Sequence, residues 1–163
     1  MKRLIMTILA SAALCFAAEA QSDLKKVYDE SIDPMTQINK AIAKADKDGK
    51  FVICQVGGNW CRWCLMYADF ISKDSEITEL IDKNFEYIHV NFNPRERNDE
   101  AKMKKAETML ARLGNPGRFG YPVFVVLDGD GKVIHIQDSS LLEEGNGYNK
   151  SKVMRFFSNW TPA

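Results

Sequence analysis

The sequence has no excess of charge of either sign. Its 163 residues include 22 Lys+Arg and 22 Asp+Glu, so the formal net charge at pH 7 is +0. A chain without a basic excess lacks the electrostatic footprint of proteins that bind nucleic acids. With 10 Gly and 5 Pro, it also lacks the composition of collagen-like or low-complexity chains. These absences exclude a basic nucleic-acid binder and a disordered tail, and they favour a small globular protein.

The N-terminal apolar run is too short to span a bilayer. It covers Leu4–Ala18, whereas a spanning helix needs about 20 residues. Two basic residues precede the run, and Ala18-Glu19-Ala20 matches the cleavage rule of secretory signals. We therefore expect residues 1–20 to be a cleaved signal peptide and residues 21–163 to form a single domain. The mature protein is then periplasmic or secreted in a bacterium, with no membrane association.

Cysteine is scarce, and its placement is informative. There are four cysteines, of which Cys15 would leave with the signal peptide. In an oxidising compartment the natural pair is Cys61 with Cys64, and Cys54, inside an apolar run, is expected to be a buried inert thiol. A purely structural disulfide and a bound Zn²⁺ or Cu⁺ are the alternatives. A closed zinc site needs four ligands, and the chain has no second C-x-x-C motif, so we expect no metal.

Apolar periodicity predicts alternating helices and strands. The predicted elements are a helix from Pro34, a strand over Lys50–Val56, helices after Cys61 and after Asp74, a strand over Phe85–Phe92, a helix over Asp99–Leu113, strands over Pro122–Leu127 and Lys132–Gln137, a loop over Ser139–Lys150 and a closing helix over Ser151–Trp160. Strands that alternate with helices imply parallel neighbours, and the final hairpin adds an antiparallel pair. The fold class is therefore α/β, a three-layer α/β/α sandwich with a mixed central sheet.

The Cys61-Arg62-Trp63-Cys64 motif is the strongest chemical signal in the chain. It follows a predicted strand and should open a helix, where free backbone N–H groups and the helix dipole stabilise a thiolate. Cys61 is then the more exposed nucleophile, which attacks a substrate disulfide. Cys64, one turn further on, resolves the mixed disulfide. A cation at Arg62 should lower the pKa of Cys61 further. No cofactor is needed for this chemistry.

The segment Lys50–Cys64 (KFVICQVGGNWCRWC) resembles the active-site strand and W-C-x-x-C motif of the thioredoxin superfamily. With Trp inside the motif and the pattern over Asp74–Val90, the chain resembles the thioredoxin-7 type of secreted thioredoxin-like protein. It is also similar to the C-terminal domain of the DsbD reductase. Gly120-Tyr121-Pro122-Val123 fits the cis-proline strand start of the superfamily. The resemblance covers about residues 35–160.

This resemblance implies a thioredoxin fold in which Pro122 is cis and faces the Cys61–Cys64 pair. It also implies exchange with protein thiol or disulfide substrates and with an upstream electron donor or acceptor. The expected substrate-contacting residues are Trp60, Arg62, Trp63, Tyr121 and Pro122. Nothing in the sequence indicates a coiled coil or a swapped strand, so a monomer is expected.

One residue departs from the family pattern. Thioredoxin carries a buried Asp six residues before its first motif cysteine, and this sequence has Gln55 there. An amide cannot accept a proton from the resolving thiol, and His89, expected to be a core or edge histidine, is not an obvious substitute. We therefore predict an extracytoplasmic thiol–disulfide oxidoreductase, with a reductase or relay role favoured. A non-catalytic thioredoxin-fold module that binds a client, copper or zinc is the alternative.

Overall fold

The computed structural model describes residues 24–163. The predicted signal peptide, with Cys15, lies outside these residues. Within them, no helix combines the length and the apolar character that a membrane crossing requires.

Helices and strands alternate along most of the described chain. The helices are α1 (Pro34–Asp48), α2 (Arg62–Lys73), α3 (Ser75–Asn84), α4 (Glu100–Arg112) and α5 (Lys150–Asn159). The strands are β1 (Phe51–Gly57), β2 (Phe85–Asn91), β3 (Val123–Leu127), β4 (Val133–Asp138), β5 (Glu143–Glu144) and β6 (Gly147–Tyr148). Side chains set several helix starts. Asp33 accepts from the Thr36 amide ahead of Pro34, and Asp74 caps α3 through the amides of Glu76 and Ile77.

The four longer strands form one mixed sheet in the order β2-β1-β3-β4. β1 is parallel to β2, whereas β3 is antiparallel to both β1 and β4. Because β1 and β3 run in opposite directions, the end of β1 and the beginning of β3 meet at the same edge, where Val56 pairs with Val123. The Cys61–Cys64 motif follows β1 and Pro122 precedes β3, so the sheet brings them together.

The sheet separates two hydrophobic clusters, as the period of a strand requires. Along β1, Val52, Cys54 and Val56 face α1 and α4. Ile53 and Gln55 alternate with them and face the layer of α2, α3 and α5. This arrangement confirms the predicted three-layer α/β/α sandwich with a mixed central sheet.

The prediction of a loop over Ser139–Lys150 is wrong. The structure places a short 3-10 turn at Ser139–Leu142, the β5–β6 hairpin and the first residue of α5 in this range. The hairpin is fixed by packing, because the Tyr148 ring lies 4.8 Å from that of Tyr67 and 5.6 Å from that of Trp63. Strands of two residues are too short to show a period of two in the sequence.

Candidate active site

A tight glycine turn leads from β1 to the motif. A Cβ atom on Gly57 would lie 2.5 Å from Cys64 Sγ, and one on Gly58 would lie 2.9 Å from the carbonyl oxygen of Phe92. Only glycine allows backbone and sulfur to approach this closely. The chain can therefore turn directly from the sheet edge into α2.

Cys61 and Cys64 form a disulfide with their Cα atoms 5.3 Å apart. Cys61 is the N-cap of α2, and its Sγ accepts a hydrogen bond from the Cys64 amide at 3.2 Å. Cys61 is 7% exposed, whereas Cys64 is fully buried. The sulfur atom of Cys61 thus occupies the position where the helix dipole and a free N–H group stabilise negative charge.

The Tyr121–Pro122 loop lies directly against the disulfide. Its peptide bond is cis, and Cys61 Sγ lies 3.6 Å from the Tyr121 carbonyl oxygen. The Tyr121 ring stacks on Phe92 at 5.1 Å and meets Trp60 edge-on at 5.8 Å. These aromatic contacts fix the backbone of the loop beside the reactive sulfur.

The remaining motif residues divide between packing and the surface. Trp60 is half-buried, and its Nε1 donates to the Phe92 carbonyl at 2.6 Å. Trp63 is half-buried beside Tyr148, whose hydroxyl donates to the Trp63 carbonyl at 3.1 Å. Arg62 is exposed at the first turn of α2. The structure therefore brings together all seven predicted site residues at one end of the sheet.

Gln55 lies beneath the disulfide, is fully buried and is completely hydrogen-bonded. Its Nε2 donates to the Cys64 carbonyl at 2.9 Å and to the Tyr28 hydroxyl at 2.7 Å. Its Oε1 accepts from the Tyr87 hydroxyl at 2.6 Å. Burial raises the pKa of both phenols well above the ordinary value for tyrosine, so both stay protonated. An uncharged network therefore occupies the position at which thioredoxin carries a buried aspartate.

Sequence reasoning missed the segment that covers this network. Leu24, Val27 and Tyr28 pack against the two cysteines, and Tyr28 is only 4% exposed. Asn59 holds the segment: its Oδ1 accepts from the amides of Val27 and Tyr28 at 3.2 Å, and its Nδ2 donates to the Tyr28 carbonyl at 2.8 Å. The segment precedes α1 and has no periodic pattern. No local feature of the sequence therefore predicts that it packs against the motif.

Two histidines occupy packing positions. His89 lies in β2 opposite Gln55, with its ring 5.4 Å from that of Tyr28 and 5.5 Å from that of Tyr87. Burial lowers the pKa of His89 to about 4, so the imidazole is neutral near pH 7. His135 stacks on Trp160 at 4.3 Å. In residues 24–163, no group of three or more His, Cys, Asp or Glu side chains is placed to hold a metal.

The thiol of Cys54 is expected to be unreactive in the native protein. Cys54 is fully buried and free, and burial raises its pKa to about 12. Thiolate is the nucleophile, so iodoacetamide at pH 8 should label Cys54 only after unfolding. The measurement is mass spectrometry of the oxidised protein treated with and without denaturant. Stoichiometric native labelling would contradict this expectation.

A cysteine pair at a helix start, facing a Tyr-Pro loop at the edge of a mixed sheet, places this chain among the thioredoxin-fold thiol–disulfide oxidoreductases. The chain belongs to the Thioredox_DsbH family. The profile of that family, described as "Protein of unknown function, DUF255", matches residues 15–155.

Solved structures agree with this assignment of the fold. A disulphide isomerase from Xylella fastidiosa Temecula1 is similar with a TM-score of 0.67 and 28% identity, over 84% of this chain and 98% of that one. A DsbH oxidoreductase has a TM-score of 0.53 and 21% identity, over 74% and 78% of the two chains. A thioredoxin from Thermus thermophilus has a TM-score of 0.51 and 16% identity, over 74% and 81%. A search of curated proteins gave no match.

Proposed function

We propose that this protein exchanges the Cys61–Cys64 dithiol and disulfide with protein substrates outside the cytoplasm, as a reductase or as a relay between an upstream donor and its clients. The observation that carries the proposal is the position of Cys61. Its sulfur caps a helix, keeps some exposure and touches the Tyr121 carbonyl oxygen, whereas Cys64 is sealed beneath it. This difference supports Cys61 as the sulfur that meets the substrate and Cys64 as the sulfur that completes the exchange.

In the proposed reductase cycle, each cysteine has a separate role. The Cys61 thiolate attacks one sulfur of the substrate disulfide, forms the mixed disulfide and releases the other substrate sulfur as a thiolate. Cys64, deprotonated to solvent, then attacks Cys61 Sγ and re-forms the protein disulfide. The second substrate sulfur leaves with the electron pair of the broken bond and takes up a proton. The substrate gains two electrons, and the upstream donor returns them to the Cys61–Cys64 pair.

The substrate contacts in this proposal are the half-buried and exposed groups around Cys61. Trp60, Trp63 and Tyr121 supply an aromatic rim, and Arg62 adds a positive charge. The backbone of Tyr121, beside Pro122, lies within reach of a peptide bonded to Cys61. An extended substrate strand can pair there with the protein backbone.

The location and processing of the protein are part of the same proposal. Residues 1–20 have the charge, apolar run and cleavage pattern of a secretory signal. The proposed mature chain, residues 21–163, is a monomeric periplasmic or secreted domain of the thioredoxin-7 type. An extracytoplasmic dithiol needs an electron donor that reaches across or sits in the membrane.

The direction of exchange is tested by the reduction potential of the Cys61–Cys64 pair. We expect a value nearer to that of thioredoxin, about −270 mV, than to that of DsbA, about −120 mV. The measurement is equilibration with glutathione and dithiothreitol buffers, followed by acid quenching and alkylation of free thiols. A value near that of DsbA would make the protein an oxidant. A pair that never equilibrates would contradict the proposal and favour a structural bridge or a binding module.

Isomerisation is the second candidate activity. The similar protein from Xylella fastidiosa is a disulphide isomerase, and this chain matches 98% of its length. Refolding of scrambled ribonuclease separates the two candidates. An isomerase restores ribonuclease activity with no net consumption of reductant. A reductase only accelerates the reduction of insulin by dithiothreitol.

A further inference from the structure

The Tyr28 hydroxyl lies next to the buried sulfur of the motif. A Cβ atom placed on Gly57 would lie 2.8 Å from the Tyr28 hydroxyl oxygen and 2.5 Å from Cys64 Sγ. Both atoms therefore lie against the same side of Gly57, closer than any side chain at that position would allow. The absence of a side chain at residue 57 lets the hydroxyl and the sulfur approach each other.

The orientation of the Gln55 amide is fixed by its neighbours. The Cys64 backbone carbonyl can only accept a hydrogen bond, so the amide nitrogen of Gln55 must face it. The same nitrogen donates to the Tyr28 oxygen. The amide oxygen on the other side accepts from the Tyr87 hydroxyl.

This orientation leaves the proton of the Tyr28 hydroxyl free. The Tyr28 oxygen already accepts from Gln55, and no acceptor in residues 24–163 takes the Tyr28 proton. The chain of bonds runs in one direction, from Tyr87 to Gln55 to Tyr28, and its last donor lies beside Cys64. Successive hydrogen bonds polarise one another, so the last donor is strengthened.

We propose that the Tyr28 hydroxyl is the hydrogen-bond donor to the Cys64 sulfur when the disulfide opens, and that Gln55 is the positioning residue that aims it. The inference rests on the proposed exchange function. The donor stabilises the Cys64 thiolate that attacks the mixed disulfide at Cys61. Tyr28 keeps its own proton throughout, and the proton of the Cys64 thiol leaves to solvent.

The N-terminal segment, residues 24–30, holds this donor in place. Asn59 binds both the amide and the carbonyl of Tyr28, and it also donates to Glu30 at 3.0 Å. Leu24 and Val27 pack beside Tyr28 against the cysteine pair. Asn59 thus ties the segment that carries the donor to the loop that carries Cys61.

Other titratable groups surround the site and bear on its pH dependence. They come from the N-terminal segment, β2, α2, the loop before β3 and β6: Tyr28, Glu30, Tyr87, His89, Cys61, Arg62, Tyr67, Tyr121 and Tyr148. Burial raises the pKa of all five tyrosines and lowers that of His89 to about 4. Between pH 6 and 9, these tyrosines therefore stay protonated and His89 stays neutral, so none of them changes charge beside Cys64.

The test is a pH titration of Cys64 in the Cys61→Ser variant. The 13Cβ chemical shift of labelled cysteine reports the protonation state at each pH. Adding Tyr28→Phe should raise the midpoint by about one to two pH units, since a hydrogen bond to a charged group is lost. Tyr87→Phe is the matched control: it removes the hydroxyl at the far end of the same network. It should move the midpoint by no more than about 0.3 pH unit.

A second test strengthens the Tyr28 donor and keeps its hydroxyl. Incorporation of 3-fluorotyrosine at position 28 keeps the ring and strengthens the donor, so the midpoint should fall. An unmoved midpoint in both Tyr28 variants, or an equal rise with Tyr87→Phe, would overturn the inference. Release of the second thionitrobenzoate from Ellman's reagent by the reduced, unsubstituted protein tests the proposed function separately: Cys61 releases the first thionitrobenzoate and Cys64 releases the second as the disulfide re-forms. If that release fails, the exchange function fails whatever Tyr28 does.

Discussion

Replacing Cys61 by serine is expected to abolish disulfide exchange. The substitution removes the thiol at the helix start and leaves a hydroxyl that does not ionise near pH 7, so the rate should fall by on the order of a thousandfold or more. The measurement is the reduction of insulin by dithiothreitol at limiting protein. Cys54→Ala is the control, because Cys54 is a buried free thiol on the face of β1 opposite Gln55. This variant should retain exchange in the folded protein.

Cys64→Ser separates the roles of the two cysteines. Cys61 can still attack a substrate in this variant, but no thiol remains to release it. A mixed disulfide with the substrate should therefore accumulate and be visible on a non-reducing gel. Residual turnover in Cys61→Ser, or trapping by Cys61→Ser rather than by Cys64→Ser, would show that the roles are reversed or that the pair is not the reacting centre.

The largest effect on stability is expected for Phe124→Ala. Phe124 is fully buried in β3, with its ring 4.4 Å from that of Tyr67 and 5.7 Å from that of Phe156. Removing the ring leaves a cavity between the sheet and α2 and α5, so the free energy of unfolding should fall by about 3–5 kcal/mol. Urea denaturation of the oxidised protein measures the change.

The matched control for this prediction is Phe119→Ala. Phe119 is 39% exposed at the end of the 3-10 helix Pro116–Phe119 before β3, so the same truncation removes much less buried contact. The free energy of unfolding should change by no more than about 0.5 kcal/mol. Equal losses in the two variants would show that the aromatic core beneath the site does not carry the stability assigned to it.

The order of the elements could be predicted because each has a local signal. Asp33 and Pro34 mark the start of α1, and Asp74 marks the start of α3. β3 is a continuous apolar run and β1 is an apolar run interrupted by Gln55, as expected for strands buried on both faces. The β5–β6 hairpin escaped prediction because Tyr148 is fixed by distant rings rather than by its neighbours in the chain.

The cysteine pair could be predicted for the same reason. Its chemistry depends on a spacing of three and on a helix start, and both are properties of adjacent residues. The environment of Cys64 depends instead on long-range contacts. Tyr28 and Tyr87 reach Gln55 across 27 and 32 positions of the chain, and no local pattern predicts such a meeting.

The sequence by itself therefore determined the α/β class, the order of most elements and the identity of the reacting pair, because those follow from period, capping and spacing. Only the tertiary structure decided what replaces the buried acid. The sheet brings Gln55 beneath Cys64, the glycine turn lets the Cys64 sulfur approach, and Asn59 ties Tyr28 beside it. A buried polar group needs a partner, and here the partners come from segments that are distant in the chain.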